Sequence, residues 1–352
     1  MTTSFALVGF GFRAATLHRV STALDDLDCV GAVVRSPRAL PVPSYPSLSA
    51  LFDRARPDFV VTAVPPAENP ALIRACVARG MPVLAETPPA PDLDALRALW
   101  ADAGDSGLVQ VAEQYPLMPS HAARAAAVRA GLIGTPTQVQ VSSTQLYHAV
   151  ALIRGLLGAG HAPAVVRASR TEAPLLHPLD RGGWTGETTP RTAVTTIATL
   201  DFGAAGSGLY DFTTGQTRNQ LRFRRLLVRG THGELRDDEI THLTGPRGIA
   251  RTPLIRRQTG HDLDLNGYDT SAITFGAEVL WSNPDEGRRW NDDEIATAAL
   301  LSSTAAWVRG DGPPPYPLAE AAQDHLIGLA IEESATRDRP VMTTAEAWSR
   351  SG

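Results

Sequence analysis

Short apolar runs and stretches with helical spacing alternate regularly along the first 115 residues. The spacing of apolar positions predicts helices over residues 14–24, 48–54, 70–80 and 92–102. The apolar runs predict buried strands at residues 5–8, 30–34, 58–64, 82–85 and 107–112. Strands that alternate with helices, without two-residue turns between them, are typical of a parallel, doubly wound sheet.

The pattern changes after residue 115, where strand-like runs follow one another closely and turn signals such as Gly203 separate them. These runs lie at residues 138–143, 165–168, 193–202, 207–212, 221–228, 233–236 and 273–281. Helices are predicted over residues 120–130, 292–308 and 318–336. The arrangement predicts an open, mostly antiparallel sheet with flanking helices, of the α+β kind. We therefore expect a doubly wound domain over residues 1–115 and an α+β domain over residues 116–352.

A glycine-rich turn joins the first predicted strand to the first predicted helix, with the sequence Gly9-Phe10-Gly11-Phe12-Arg13. The first glycine permits a tight turn, and the second lets the backbone approach a pyrophosphate at the helix N-terminus. Two glycines in a turn are common, but their place in the first strand–turn–helix unit is specific. The turn therefore predicts a site for NAD or NADP.

The end of the second predicted strand bears on the choice between these two cofactors. NAD sites usually carry an acidic residue there, which holds the ribose hydroxyls. This chain instead has Arg35, Ser36 and, two residues on, Arg38. An arginine and a hydroxyl can bind a 2′-phosphate that a carboxylate would repel, so the sequence favours NADP. If Arg35 is only an exposed charge at the strand end, NAD remains usable.

Composition excludes several classes of protein. The net charge is −5 with both signs dispersed, so no nucleic-acid partner is expected. No apolar run is long enough to cross a bilayer, and no histidine or carboxylate pair has the spacing of metal ligands. Cys29 and Cys76 both lie in apolar segments, which predicts buried thiols and a cytoplasmic protein.

The sequence contains no lysine, and all 32 basic side chains other than histidine are arginines. A genome rich in G and C explains this bias without any functional cause. The chemical consequence is the same in either case. A Schiff base, a lysine general acid and a lysine phosphate clamp are all excluded.

Several motifs, in order and spacing, resemble the Gfo/Idh/MocA family of NAD(P)-dependent oxidoreductases over nearly the whole chain. The glycine turn resembles the Gly-x-Gly-x-Arg turn of that family, and Glu86-Thr87-Pro88 stands where the family has Glu-Lys-Pro. His148 matches the helix that carries the active-site histidine of the family. The turn, the strand ends and the resemblance together imply cofactor contacts from Gly9, Phe10, Gly11, Phe12, Arg13, Arg35, Ser36, Arg38, Val64, Pro65, Asn69, Glu86, Thr87 and Gln114.

The departures from the family fall on the residues that carry its chemistry. The Glu-Lys-Pro lysine, which polarises the reacting oxygen in the family, is Thr87 here. The family aspartates near the histidine are here Thr144 and Ala151. We therefore expect proton transfer to rest on His148, Tyr147 or Tyr115. Each residue also has a purely structural interpretation. His148 then caps a helix, or lies in the core with its hydrogen bonds made inside the protein, and Tyr115 packs at the domain junction.

Three functions are compatible with this sequence. The first is a reductase or dehydrogenase of a sugar, polyol, carbonyl or imine that works without the family lysine. The second is a redox-neutral enzyme, similar to the NAD-dependent glycosidases, that keeps its cofactor bound. The third is a cofactor-binding protein that has lost catalysis.

Further candidates for substrate contact lie in loops of the second predicted domain or near His148, where they would face the cleft. They are Thr144, Arg154, Trp184, Asp211, Arg218 and Asn219. Arg154 is also compatible with a surface charge. An open antiparallel sheet leaves one face uncovered, so we expect a homodimer or homotetramer that associates through it.

Overall fold

The N-terminal part of the computed structural model is a six-stranded parallel sheet with strand order β3-β2-β1-β4-β5-β6. The structure describes residues 2–36, 38–260 and 267–350. The strands are β1 (Thr3–Val8), β2 (Leu27–Val33), β3 (Ser44–Tyr45), β4 (Phe59–Thr62), β5 (Val83–Ala85) and β6 (Val109–Val111). The helices between them are α1 (Phe12–Ser21), α2 (Leu48–Arg54), α3 (Asn69–Val77) and α4 (Leu93–Ala103). The predicted doubly wound sheet is confirmed.

The second sheet has eleven strands and is antiparallel except where β12 pairs with β7. Its strands and a small hairpin beside it are β7 (Pro136–Ser142), β8 (Val165–Leu175), β9 (Leu179–Asp180), β10 (Gly183–Trp184), β11 (Arg191–Asp201), β12 (Ser207–Thr213), β13 (Arg225–Gly230), β14 (Gly233–Arg236), β15 (Glu239–Gly245), β16 (Gly248–Gln258), β17 (Thr270–Phe275), β18 (Glu278–Ser282) and β19 (Val341–Met342). The helices are α5 (Pro119–Arg129), α6 (Leu146–Leu157), α7 (Asp292–Arg309) and α8 (Leu318–Arg337). The predicted open sheet with flanking helices is confirmed.

Several strand predictions in this sheet differ from the structure. The run 273–281 is a hairpin, which turns at Gly276 with φ +56°. The run 221–228 forms a strand only from Arg225, because the residues before it belong to a loop. Strands β15 and β16 were not predicted, since their side chains are largely polar and their alternation is weak.

Helix α7 returns to the N-terminal sheet and covers one of its faces. Ile295 and Leu301 of α7 belong to the same apolar core as Phe5 of β1 and Leu17 of α1. On the opposite face, the first turns of α8 join the core formed by α3 and α4. A domain that ends at residue 115 therefore contains the whole parallel sheet, but it lacks α7 and α8, which cover parts of the two faces of that sheet. None of the described helices is long and apolar enough to cross a membrane.

Arg154 is buried between α6 and α8, and its charged end is engaged by acidic side chains and a backbone carbonyl. Its guanidinium pairs with Asp324 and, at 2.9 Å, with Glu320, and it donates to the carbonyl of Gly160. Its side chain is only 3% exposed. The interpretation of Arg154 as a surface charge is wrong, because this ion pair holds its charge inside the protein. Its contact with a substrate stays a prediction.

We expect Arg154→Met to destabilise the fold, because it leaves the carboxylate of Asp324 buried without its cation. Removing one partner of a buried pair costs about 3–5 kcal/mol in the free energy of unfolding. Arg170→Met is the matched control, since Arg170 lies on β8 and is exposed; we expect a change within about 0.5 kcal/mol. Equal denaturation midpoints for the wild type and Arg154→Met would contradict the assignment.

Candidate active site

A groove runs along the carboxyl edge of the N-terminal sheet beside the glycine turn. Gly9 has φ +87°, and a Cβ there would lie 2.5 Å from the carbonyl oxygen of Ala63, so only glycine fits. A Cβ on Gly11 would meet no atom within 4 Å. The open space in front of Gly11 lies at the N-terminus of the ten-residue helix α1. This arrangement suits a phosphate that approaches the backbone.

The groove has a volume of about 590 Å³, and most of the predicted cofactor residues of the first domain line it. It extends from the glycine turn to the end of β2, where Arg35 and Ser36 stand at its rim. Val64 and Pro65 form the wall that follows β4, and Arg38 donates to the carbonyl of Phe10 at 2.5 Å. The groove therefore has the shape and the backbone donors that a dinucleotide needs.

Arg35 is not a free cation in this structure. Its Nη2 atom lies 2.5 Å from Oε1 of Glu68, although the arginine side chain is 81% exposed. A phosphate at this end of the groove would have to compete with Glu68 for the guanidinium. Glu68 was not singled out from the sequence, because it lies in the loop after β4 and far from Arg35 along the chain.

Arg13 joins the glycine turn to α7. Its Nη1 atom donates to Thr297 at 3.2 Å and lies 3.6 Å from a carboxylate oxygen of Asp293. Its Nε atom lies 3.4 Å from Oε2 of Glu86. Gln114 donates to the other oxygen of Asp293 at 3.4 Å. Within the described residues, Arg13 Nη2 and Gln114 Oε1 are buried and have no hydrogen-bond partner, so they could satisfy a polar group of a ligand.

The side chain of Asn69 stabilises the turn after β5. The Asn69 amide donates to the carbonyls of Glu86 at 2.8 Å and Pro88 at 3.4 Å, and it accepts from Thr62 at 2.6 Å. The peptide bond between Thr87 and Pro88 is cis. Asn69 is fully buried, so its side chain is not exposed to a cofactor in the groove, in contrast to the prediction. Asn69 positions the turn that carries Thr87.

His148 forms a buried pair with Glu113. The two side chains meet at 2.6 Å between His148 Nδ1 and Glu113 Oε2, and the carboxylate is only 2% exposed. The other carboxylate oxygen accepts from the backbone N–H of Tyr115 at 3.0 Å. With Nδ1 engaged by the carboxylate, Nε2 is the ring atom left for a reacting group. Glu113 was not predicted from the sequence as a site residue. Its position as an acidic residue directly after the last buried strand is the signal that could have identified it.

Two phenols pack against this imidazole. The ring centroids of Tyr115 and Tyr147 each lie 4.4 Å from that of His148. Burial raises the pKa of Tyr147 to about 12, against a hydrogen bond with the Thr87 hydroxyl that lowers it. Burial likewise raises the pKa of Tyr115, whose hydroxyl neighbours Thr144. Both phenols therefore keep their protons at neutral pH and can donate hydrogen bonds.

The structure thus brings together the three residues predicted for proton transfer and adds Glu113 to them. The cluster contains an imidazole supported by a carboxylate, two neutral phenols and the Thr87 hydroxyl. It can hold a substrate oxygen and move a proton, but it offers no ammonium group. Among the described residues, no group of three histidines, cysteines or carboxylates could hold a metal ion.

The predicted substrate contacts in the second domain are dispersed. Asp211 pairs with Arg225 at 2.7 Å on the sheet, and Asn219 is buried and donates to the carbonyl of Leu176 at 2.8 Å. Trp184 is 80% exposed on β10. The polar atoms of Asn219 are already engaged, whereas the contacts of Asp211 involve one carboxylate oxygen, so contact between Asp211 and a substrate stays a prediction. Arg218 lines a separate cavity beside the β9–β10 hairpin.

Residues 3–115 match the family model described as the oxidoreductase family, NAD-binding Rossmann fold, of Gfo/Idh/MocA proteins. No curated protein sequence matches the chain. The chain and the known structures that it resembles share the fold over almost their whole lengths. An oxidoreductase from Agrobacterium radiobacter, in complex with NAD+, L-tartaric acid and magnesium, has TM-score 0.71 and 18% identity, with 97% of this chain and 98% of that chain covered.

Two further structures show the same fold. A myo-inositol dehydrogenase from Corynebacterium glutamicum has TM-score 0.67 and 19% identity, with 98% of this chain and 99% of that chain covered. The WlbA dehydrogenase from Bordetella pertussis, in complex with NADH and UDP-GlcNAcA, has TM-score 0.66 and 16% identity, with 97% and 98% covered. Residues 3–115 therefore form an NAD-binding Rossmann domain of the oxidoreductase family, in a chain whose overall fold is that of known oxidoreductases.

Proposed function

We propose that the protein is an NAD(P)-dependent oxidoreductase, with NADP favoured, that transfers hydride to or from a sugar, polyol, carbonyl or imine. One observation carries the proposal. The Glu113–His148 pair and its two flanking phenols lie at the carboxyl edge of the nucleotide-binding sheet, where ligands bind in doubly wound folds. The compared dehydrogenases of inositol and of UDP-GlcNAcA support a polyol or sugar derivative as substrate.

The residues around the groove fit a nicotinamide dinucleotide. The open space before Gly11 admits a pyrophosphate, and Arg13 Nη2 and Gln114 Oε1 offer a donor and an acceptor to the polar groups of the cofactor. When bound, the cofactor supplies the hydride acceptor or donor. The protein must then hold the substrate oxygen and move its proton.

We assign proton transfer to His148 and the orientation of its imidazole to Glu113. The carboxylate accepts from Nδ1 and stabilises the imidazolium that forms when Nε2 takes a proton from a substrate hydroxyl. In the reverse direction, the imidazolium returns the proton to a carbonyl oxygen or imine nitrogen. Tyr147, a neutral phenol packed against His148, donates a hydrogen bond to the same substrate atom.

We expect His148→Asn to lower kcat by about 100- to 10,000-fold, which is the usual range for loss of a general acid or base. Tyr147→Phe should lower kcat by a smaller factor, because only a hydrogen bond to the substrate is lost. The Kd for NADPH should stay within about threefold of wild type in both variants, since neither side chain lines the groove. Steady-state kinetics on a panel of sugars and carbonyls, with cofactor fluorescence titration, measures both quantities.

His242→Asn is the matched control, because His242 packs against Phe275 on the sheet, away from the cluster. Full activity in His148→Asn would remove the assignment of that residue. Glu113→Gln should shift the pH profile of kcat while retaining part of the activity, an effect that a purely structural carboxylate would not produce. Product release from a glycoside with no net change in cofactor would favour a redox-neutral enzyme.

NADP is favoured because no acidic residue ends β2, while Arg35 and Ser36 stand there. Glu68 weakens this preference, since its carboxylate already pairs with Arg35. A 2′-phosphate carries more charge than Glu68 and accepts more hydrogen bonds, so it can replace Glu68 on the guanidinium. The preference for NADP then depends on how much more strongly Arg35 binds the 2′-phosphate than it binds Glu68.

We expect Arg35→Ala to raise the Kd for NADPH by about tenfold or more and to leave the Kd for NADH within about twofold, since a charge-assisted contact is worth about 1.5–3 kcal/mol. Glu68→Gln should do the opposite and tighten NADPH binding, because it removes the competing carboxylate. Fluorescence titration of both cofactors measures these constants. Equal losses of NADPH and NADH affinity in Arg35→Ala would leave no basis for the preference.

We also propose that copies of the chain associate into a homodimer or homotetramer through the open face of the eleven-stranded sheet. Helices α6 and α8 pack on the other face. On the open face, aliphatic side chains such as Ile197 (44% exposed) and Ile249 (76% exposed) stand among arginines and threonines. A sheet face of this size and composition is stabilised when a second copy covers it.

Ile197→Arg should convert the assembly to a monomer, because it places a charge on the open face at an interior strand, β11. Val279→Arg is the matched control at an equally exposed position on the edge strand β18, and it should leave the assembly unchanged. Light scattering coupled to size-exclusion chromatography distinguishes these outcomes. A monomeric wild-type protein at micromolar concentration would refute the proposal.

A further inference from the structure

A second large cavity, of about 700 Å³, lies in the sheet domain. Its walls are the β9–β10 hairpin, the start of α6 and the loop between β12 and β13. Three arginines line it, Arg181, Arg191 and Arg218, together with the carboxylates of Asp180 and Glu187. The cavity does not overlap the groove beside the glycine turn.

Two contacts place this cavity next to the candidate active site. At the hairpin tip, the guanidinium of Arg181 stacks 4.3 Å from the ring centroid of Phe12, which begins α1 at the glycine turn. On the other wall stands Gln145, the N-cap of the helix that carries Tyr147 and His148. The cavity therefore has one wall in contact with the start of α1 and another at the start of the helix that carries His148.

The charges lining the cavity are not balanced. Arg191 pairs with Glu187 at 2.9 Å, so these two charges compensate each other. One oxygen of Asp180 accepts from the backbone of Gly182 at 2.6 Å. Within the part of the chain that the structure describes, Arg181 and Arg218 form no ion pair with a carboxylate. Three arginines and two carboxylates, Asp180 and Glu187, therefore leave the lining with a net charge of +1.

The loops that carry these arginines are fixed to each other. The buried Asn219, next to Arg218, donates to the carbonyl of Leu176 at the base of the hairpin, at 2.8 Å. The Thr185 hydroxyl donates to the carbonyl of His177, also at 2.8 Å. A Cβ on Gly215 would lie only 3.0 Å from the His177 ring, so the two loops pack tightly. Arg218 is therefore held near the hairpin before any ligand binds.

We propose that this cavity binds an anionic group of the substrate, a carboxylate or a phosphate, through Arg218 and Arg181. Guanidinium groups bind both anions with two parallel hydrogen bonds, which gives orientation as well as attraction. The inference rests on the proposed function and narrows it. The substrate is then an acidic or phosphorylated sugar or polyol, with its anionic group in the cavity and its reacting hydroxyl or carbonyl at His148.

The test compares three ligands on the protein saturated with NADPH: D-glucuronate, D-glucose 6-phosphate and the uncharged D-glucose. Isothermal titration gives each Kd. We expect one of the two anions to bind at least about tenfold more tightly than glucose. The tighter ligand shows whether the cavity prefers a carboxylate or a phosphate. Arg218→Ala should abolish this tenfold advantage without changing the Kd for glucose, whereas the control Arg251→Ala, an exposed arginine on β16, should retain it.

Three results would overturn the inference. The first is equal affinity for all three ligands or no binding of any. The second is a loss of the same size for charged and uncharged ligands in Arg218→Ala. The third is weaker NADPH binding in Arg181→Ala or Arg218→Ala with the anion advantage unchanged, because the cofactor diphosphate would then be the anion that these arginines contact. Anion binding without any hydride transfer would count against the proposed reaction alone.

Discussion

The contact between His148 and Glu113 joins the two halves of the molecule at the point where chemistry is expected. Glu113 follows the last strand of the nucleotide-binding sheet, and His148 lies in the first turn of a helix on the other sheet. A buried carboxylate requires a partner, and this imidazole supplies it. The position of one domain relative to the other is therefore coupled to the orientation of the ring. Tyr115 and Tyr147 then pack on an imidazole that cannot rotate freely.

The loss of the family lysine becomes understandable in this setting. The carboxylates near position 87 already have partners, since Glu86 lies 3.4 Å from Arg13 and Glu113 pairs with His148. Thr87 instead gives one of its hydrogen bonds to Glu86 and interacts with Tyr147 through the same hydroxyl. In the proposed mechanism, a neutral phenol with a high pKa polarises the substrate oxygen in place of a cation. Such a donor is weaker than an ammonium group but holds its proton over the whole physiological pH range.

Much of the fold could be predicted from sequence, because buried parallel strands give continuous apolar runs and their helices give clear periodicity. Strands β15 and β16 were not predicted because both are largely exposed and their apolar residues show little alternation. At the site, His148, Tyr115 and Tyr147 could be found from local motifs. Glu113, Glu68 and the burial of Arg154 could not, because each depends on a partner that is distant in sequence. Whether a charged side chain contacts a ligand or is paired inside the core depends on residues that are distant from it in the sequence.

Helix α7 has a consequence for how the chain reaches its native state. The apolar face formed by Phe5, Leu17 and their neighbours is covered only by residues from the far end of the chain, such as Leu301. During synthesis, the first domain leaves the ribosome with that face uncovered and remains incomplete until α7 has been translated. The closing of so long a loop makes this a late folding event. The nucleotide-binding domain therefore acquires its final stability only together with the rest of the protein.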